Sequence, residues 1–119
     1  MGQKQKTEEL LLRGAWSHLT ISSLVDTSAR AKPDRRSFSD APDIASWSDQ
    51  PGRQTTAGEF GLLVQTFARQ ILTLGLAPGD AVLVAMPNQV DGVVALVGLM
   101  LAGLTPCPVS VVASAAQIQ

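Results

Sequence analysis

The last 28 residues of the chain, positions 92–119, contain no charged side chain; all nine Lys and Arg and all ten Asp and Glu lie between Lys4 and Asp91. An uncharged, largely apolar stretch is poorly solvated and has to be covered by protein or lipid. Lipid is the weaker reading, because Gly103, Pro106 and Pro108 cut residues 92–116. That leaves a helical piece of roughly 13 to 15 residues where a membrane span needs about 20. The pattern predicts a buried helix followed by a buried extended segment. A free-standing domain of 119 residues rarely ends on such a segment, so the terminus expects further layers to cover it.

A net charge of −1 removes the usual reason to expect a nucleic-acid or acidic-membrane partner. The single Cys107 excludes an internal disulfide framework and fits a reducing, cytoplasmic setting. With one His, His18, no structural zinc site can be built from His and Cys ligands. Near the N-terminus, Glu8 and Glu9 follow Lys4 and Lys6, and Leu10, Leu11 and Leu12 are too few for a signal-peptide core. Met1-Gly2 lacks the hydroxyl that myristoylation needs, since position 6 is Lys.

Residues 1–18 show no sustained period and read as a flexible segment, leaving 19–119 as the organised part. Ile21, Leu24, Val25 and Ala29 recur at helical spacing and predict a helix ended after Lys32 by Pro33. Residues 36–40 suit a short strand, and residues 41–54 a surface loop with Trp47 as its large apolar anchor. Over residues 55–74, Thr56 and Glu59 form a capping box. They precede one stripe of Phe60, Leu63, Val64, Phe67, Ile71 and Leu74, and Gly75 ends the helix. Residues 81–86 read as a strand covered on both faces. Asn88 is the expected cap, and Asp91 the first-turn carboxylate, of a helix over about 89–102 that is apolar around nearly its whole circumference. Gly103 ends it, and residues 105–112 form another strand despite two prolines. Helices alternating with buried strands predict an α/β fold: a partial doubly wound layer with a mostly parallel sheet and right-handed crossovers.

Each candidate for chemistry has an architectural counterpart. Thr55, Thr56, Ala57 and Gly58 have the composition of a phosphate cradle, but no lysine follows and Thr56 is accounted for as a cap. The glycine spacing from Gly98 to Gly103 matches a Walker loop, yet position 104 is Leu where the loop needs Lys. Asp40 and Asp43 read as solvated loop carboxylates instead of an acid/base pair. Cys107 has only His18 available as a base and reads as a small buried residue. His18 beside Trp16 reads as a packed or exposed N-terminal histidine ahead of a stacking pair. Arg35 and Arg36 either hold a phosphate or form a solvated turn after Asp34.

The run LGLAPGDAVLVAMPN over residues 74–88, the helix ending at Ala102-Gly103 and the strand Cys107-Pro-Val resemble the N-terminal part of adenylate-forming (AMP-binding) enzymes. These include acyl-CoA synthetases, luciferases and peptide-synthetase adenylation domains. Residues 21–34 resemble the family's first helix and its Pro-Asp stop. Thr56-Ala-Gly-Glu-Phe60 resembles the opening of its second helix, where Thr, Tyr, x, Glu, Leu is commoner. Ala41, Pro42, Asp43, Trp47 and Arg53 lean toward the acyl-CoA synthetase branch. The resemblance covers residues 20–119. It implies a parent enzyme that uses ATP and magnesium to turn a carboxylic acid, as in fatty acid metabolism, into an acyl-adenylate and then passes the acyl group to coenzyme A. The family's phosphate loop, adenine segment, ribose-binding Asp and C-terminal lysine lie beyond the matched region. No catalytic, cofactor-binding or metal-binding residue is therefore carried over, and no bound cofactor is expected in this segment. Gly75, Gly79, Asp80, Asn88 and Gly103 match architectural positions.

Three functional expectations follow. The first is the N-terminal fragment of an acyl-CoA synthetase, inactive alone, whose partner is the remainder of the parent enzyme or, by self-association, a second apolar C-terminal segment. The second is a stand-alone interaction module docking through that same surface. The third is a small flavodoxin-like nucleotide-binding domain, which the absence of a glycine-rich turn at Met86, Pro87 and Asn88 disfavours.

Overall fold

The computed structural model describes residues 20–46, 49 and 51–110. Trp16, His18, Trp47 and the strand expected at 111–112 lie outside the described residues.

Helix α1 spans Ile21–Ala31. Thr20 caps it reciprocally: the Ser23 N–H donates to Thr20 Oγ1 at 3.0 Å and the Thr20 N–H donates to Ser23 Oγ at 2.9 Å. The helix stops at Lys32, one residue before Pro33, as the sequence predicts. Strand β1, Arg36–Ser39, pairs antiparallel with β2, Gln54–Thr56, where the sequence predicts the end of a loop and the start of a helix. The intervening loop is anchored by Ile44, 3% exposed, in one turn of 3-10 helix over Ile44–Ser46.

Helix α2 spans Ala57–Leu72 with the expected box: the Glu59 N–H donates to Thr56 Oγ1 at 3.2 Å, and the Thr56 N–H donates to Glu59 Oε1 at 3.4 Å. Its stripe is confirmed for Phe60, Leu63, Val64, Phe67 and Ile71. Leu74, expected on the same stripe, lies past the helix end and is 66% exposed. Phe60 packs its ring 4.6 Å from that of Phe38 on β1, tying α2 to the antiparallel pair.

Strand β3, Ala81–Val84, helix α3, Val90–Leu101, and strand β4, Thr105–Pro108, form a βαβ unit in which β3 and β4 pair in parallel, Leu83 opposite Cys107. Helix α3 is central. One side meets α2 through Phe60, Val64, Val90, Val94 and Val97; another meets the parallel strands through Val84, Ala95, Leu99 and Leu104. Burial of each large core side chain contributes about 1.5–3 kcal/mol. The helix ends in a Schellman turn: the Leu104 N–H donates to the Leu99 carbonyl at 2.9 Å and the Gly103 N–H to that of Met100 at 3.1 Å, with Gly103 at φ +80°.

Two expectations about the strands change. Strand β3 is covered on one face only: Val84 is buried, whereas Leu83 on the opposite face is 54% exposed. Among the described residues no second layer packs on that face of the two-stranded parallel sheet. The prolines in β4 cost no ladder bonds. The N–H groups of Thr105 and Val109 donate to the carbonyls of Asp80 and Val84, so strand alternation turns the nitrogens of Pro106 and Pro108 to the unpaired edge.

Candidate functional site

A crevice of about 210 Å³ opens where the carboxyl ends of β3 and β4 face the first turn of α3. Val84, Met86, Pro87, Leu96 and Pro108 supply its apolar walls, and Asn88 and Gln89 its polar rim. Crevices at parallel strand ends are the usual ligand positions of open α/β sheets. Gly92 permits this geometry, since a Cβ there would stand 2.9 Å from the Pro87 carbonyl oxygen. Gln89 Oε1 is buried without a hydrogen-bond partner among the described residues.

The first turn of α3 is held from an unexpected place. Asn88 is not the cap; Gln89 occupies that position and makes no side-chain capping bond. The capping oxygen comes from Asp40, fifty residues earlier: the Val90 N–H donates to Asp40 Oδ1 at 2.7 Å and the Arg53 N–H donates to Asp40 Oδ2 at 2.7 Å. The Arg53 guanidinium then reaches Asp91 Oδ1 at 2.8 Å. Asp40 is thus a half-buried structural cap, not the solvated loop carboxylate that the sequence suggests. Asp91 does lie in the first turn as expected. The sequence signal for the long-range cap was weak, because an Asp in a polar loop points to no partner.

The other candidates resolve as follows. The amide N–H groups of Ala57 and Gly58 donate to the carbonyls of Arg35 and Pro33 at 2.8 and 2.9 Å, and those of Thr56 and Glu59 serve the capping box. These four N–H groups are therefore not available to cradle a phosphate. Gly98 is a packing glycine, whose added Cβ would stand 2.5 Å from Phe67 Cδ1. Among the described residues Asp43 contributes its carbonyl alone, to the Ser46 N–H and hydroxyl, and shares no hydrogen-bond partner with Asp40. Cys107 is half-buried on β4 with its thiol directed at the Thr105 carbonyl, 3.9 Å away. Among the described residues no three His, Cys, Asp or Glu side chains form a group able to hold a metal ion. The crevice at the strand ends is lined by no Lys or Arg, and no step of nucleotide chemistry is assigned to it. Among the described residues no helix is long and apolar enough to cross a membrane.

Comparison with known proteins gives this architecture a context. Over 94 residues the chain is 34% identical to the salicyl-AMP ligase / salicyl-S-ArCP synthetase of Mycobacterium tuberculosis, covering 78% of this chain and 16% of that protein. The structure of Mycobacterium smegmatis MbtA superposes with a TM-score of 0.67 at 31% identity, over 90% of this chain and 19% of MbtA. The fatty acyl CoA synthetase of Mycobacterium tuberculosis shares the fold, with a TM-score of 0.69 at 21% identity over 82% of this chain and 18% of the synthetase. The chain therefore spans less than a fifth of the length of these relatives. The sequence pattern of the AMP-binding enzyme family matches residues 25–119, and the chain belongs to that family as a piece of its N-terminal domain.

Proposed function

We propose that residues 19–119 supply the first layer of an enzyme that activates a carboxylic acid as its acyl-adenylate, at the expense of ATP, and then transfers the acyl group to a thiol. The observation carrying this reading is a family match across residues 25–119 joined to a small share of each relative's length. The open face of β3, with Leu83 54% exposed, supports the same division: it is a surface that the rest of such a domain would cover. On this reading the 119 residues fold and dock but do not catalyse alone.

The relative at 34% identity favours an aromatic acid as substrate and a carrier-protein thiol as acceptor. Coenzyme A is the second reading, favoured by the resemblance of the loop around Ala41, Pro42, Asp43 and Arg53 to the acyl-CoA branch. Carboxylate-dependent exchange of pyrophosphate into ATP tests the core of the proposal. The purified chain is expected to show no exchange with salicylate or a fatty acid, and exchange by the chain alone would overturn its non-catalytic role. A reading frame that continues past Gln119 into a phosphate loop gives the matching positive test. Exchange by that longer enzyme with salicylate above a fatty acid supports the aromatic reading. A stop at Gln119 would replace it with the interaction module.

A further inference from the structure

Six Lys and Arg side chains are among the described residues. Arg30 is paired with Asp26 at 3.0 Å and Arg53 with Asp91 at 2.8 Å. Of the four without an ion-pair partner among the described residues, Lys32, Arg35 and Arg36 line a single cleft of about 380 Å³; only Arg69 stands apart. Ser28 and Ser37 bring hydroxyls to the same cleft, whereas the Thr27 hydroxyl that also lines it already donates to the Ser23 carbonyl at 2.8 Å; no carboxylate lines the cleft. A concentration of +3 in a chain of net charge −1 is the opposite of what screening a surface requires.

The cations sit on a fixed scaffold. The Lys32 N–H caps α1 on the Ser28 carbonyl at 3.1 Å, and the Arg35 N–H donates to the Lys32 carbonyl at 3.1 Å. The carbonyls of Pro33 and Arg35 accept from the first amides of α2, so both ends of the turn are bolted to that helix. Gly58 makes this approach possible: a Cβ there would stand 3.2 Å from Pro33 Cβ and 3.3 Å from the Pro33 carbonyl oxygen. Guanidinium forks with adjacent hydroxyls are the donor set that complements phosphate oxygens.

We propose that this cleft, between the end of α1, the start of β1 and the first turn of α2, is a binding site for a phosphate-bearing small molecule. The site is distinct from the crevice at the strand ends and does not depend on the acyl-adenylate reading. Recognition is of the phosphate group itself, so free pyrophosphate, a nucleotide and the phosphorylated end of coenzyme A are alternative sources of one chemistry.

Pyrophosphate titrated into the ¹⁵N-labelled chain at low salt is expected to give saturable shifts at Thr27, Ser28 and the turn amides, leaving Arg69 unmoved. Parallel titrations with AMP and coenzyme A rank the sources. Arg36→Gln and Lys32→Gln are each expected to weaken pyrophosphate binding by about tenfold, the loss of one charge-assisted contact. Arg69→Gln is expected to leave it unchanged. No saturable shift in the wild-type chain, or an equal loss in Arg69→Gln, would overturn the proposal. The wild-type titration reads the site even if a variant fails to fold.

Discussion

Replacing Asp40 with Ala removes both oxygens that join the loop after β1 to the start of α3. The structure sets the size of the effect. Loss of an N-cap costs about 1 kcal/mol. Removing a carboxylate from the positive end of a helix adds about 0.3–1 kcal/mol. The second bond, from the Arg53 N–H at 2.7 Å, is also charge-assisted, but Asp40 is only half-buried and solvent competition holds its net contribution to about 1 kcal/mol. Among the described residues no other side chain caps α3. The sum is about 2–3 kcal/mol, which for a chain of this size lowers the thermal midpoint by about 8–12 °C. Asp40→Asn keeps one oxygen and turns an amide toward the other donor, so it should fall between wild type and Asp40→Ala. Urea unfolding followed by circular dichroism measures all three, with Asp43→Ala as the comparator, because no side-chain bond of Asp43 occurs among the described residues. If Asp40→Ala and Asp43→Ala shift the midpoint equally, Asp40 is not the cap of α3 and the reasoning fails.

Two further perturbations probe the packing of α3 and the open sheet face. Gly98→Ala gains about 1 kcal/mol of helix propensity but drives a methyl toward Phe67 and the Val64 carbonyl, so a net loss of about 1–3 kcal/mol is expected; a raised urea midpoint would show that α2 and α3 are not in this contact. Leu99→Ala, at a side chain 1% exposed, should cost about 2–5 kcal/mol, whereas Leu83→Thr, at one 54% exposed, should cost less than about 1 kcal/mol in this chain. Comparable losses at the two positions would mean that the outer face of β3 is already covered.

The helices were legible because their determinants are local. Thr56 and Glu59 are three residues apart and Pro33 stops α1 by its own ring, so neither signal depends on the rest of the fold. Gly103 likewise ends α3 through a left-handed backbone. Strand β2 was less legible, since Gln54, Thr55 and Thr56 are polar and only the Phe38 carbonyl, accepting from the Thr55 hydroxyl at 3.2 Å, reveals why Thr55 is buried. The cationic cleft shows the same limit. Arg35 and Arg36 stood out in the sequence, but their convergence with Lys32 required α1, β1 and α2 to be placed around one space.

The charge-free terminus shows where the division falls. By itself the sequence determined that residues 92–110 form an apolar helix and an extended segment too interrupted to span a bilayer, because helix length, glycine and proline act within a few residues. Only the tertiary structure decided how that apolar surface is shared. Helix α3 is wrapped by α2 and the parallel strands, while the far face of β3 stays open. Which face of a strand is covered depends on how many layers surround the sheet, and side-chain alternation marks the two faces without saying what packs on either.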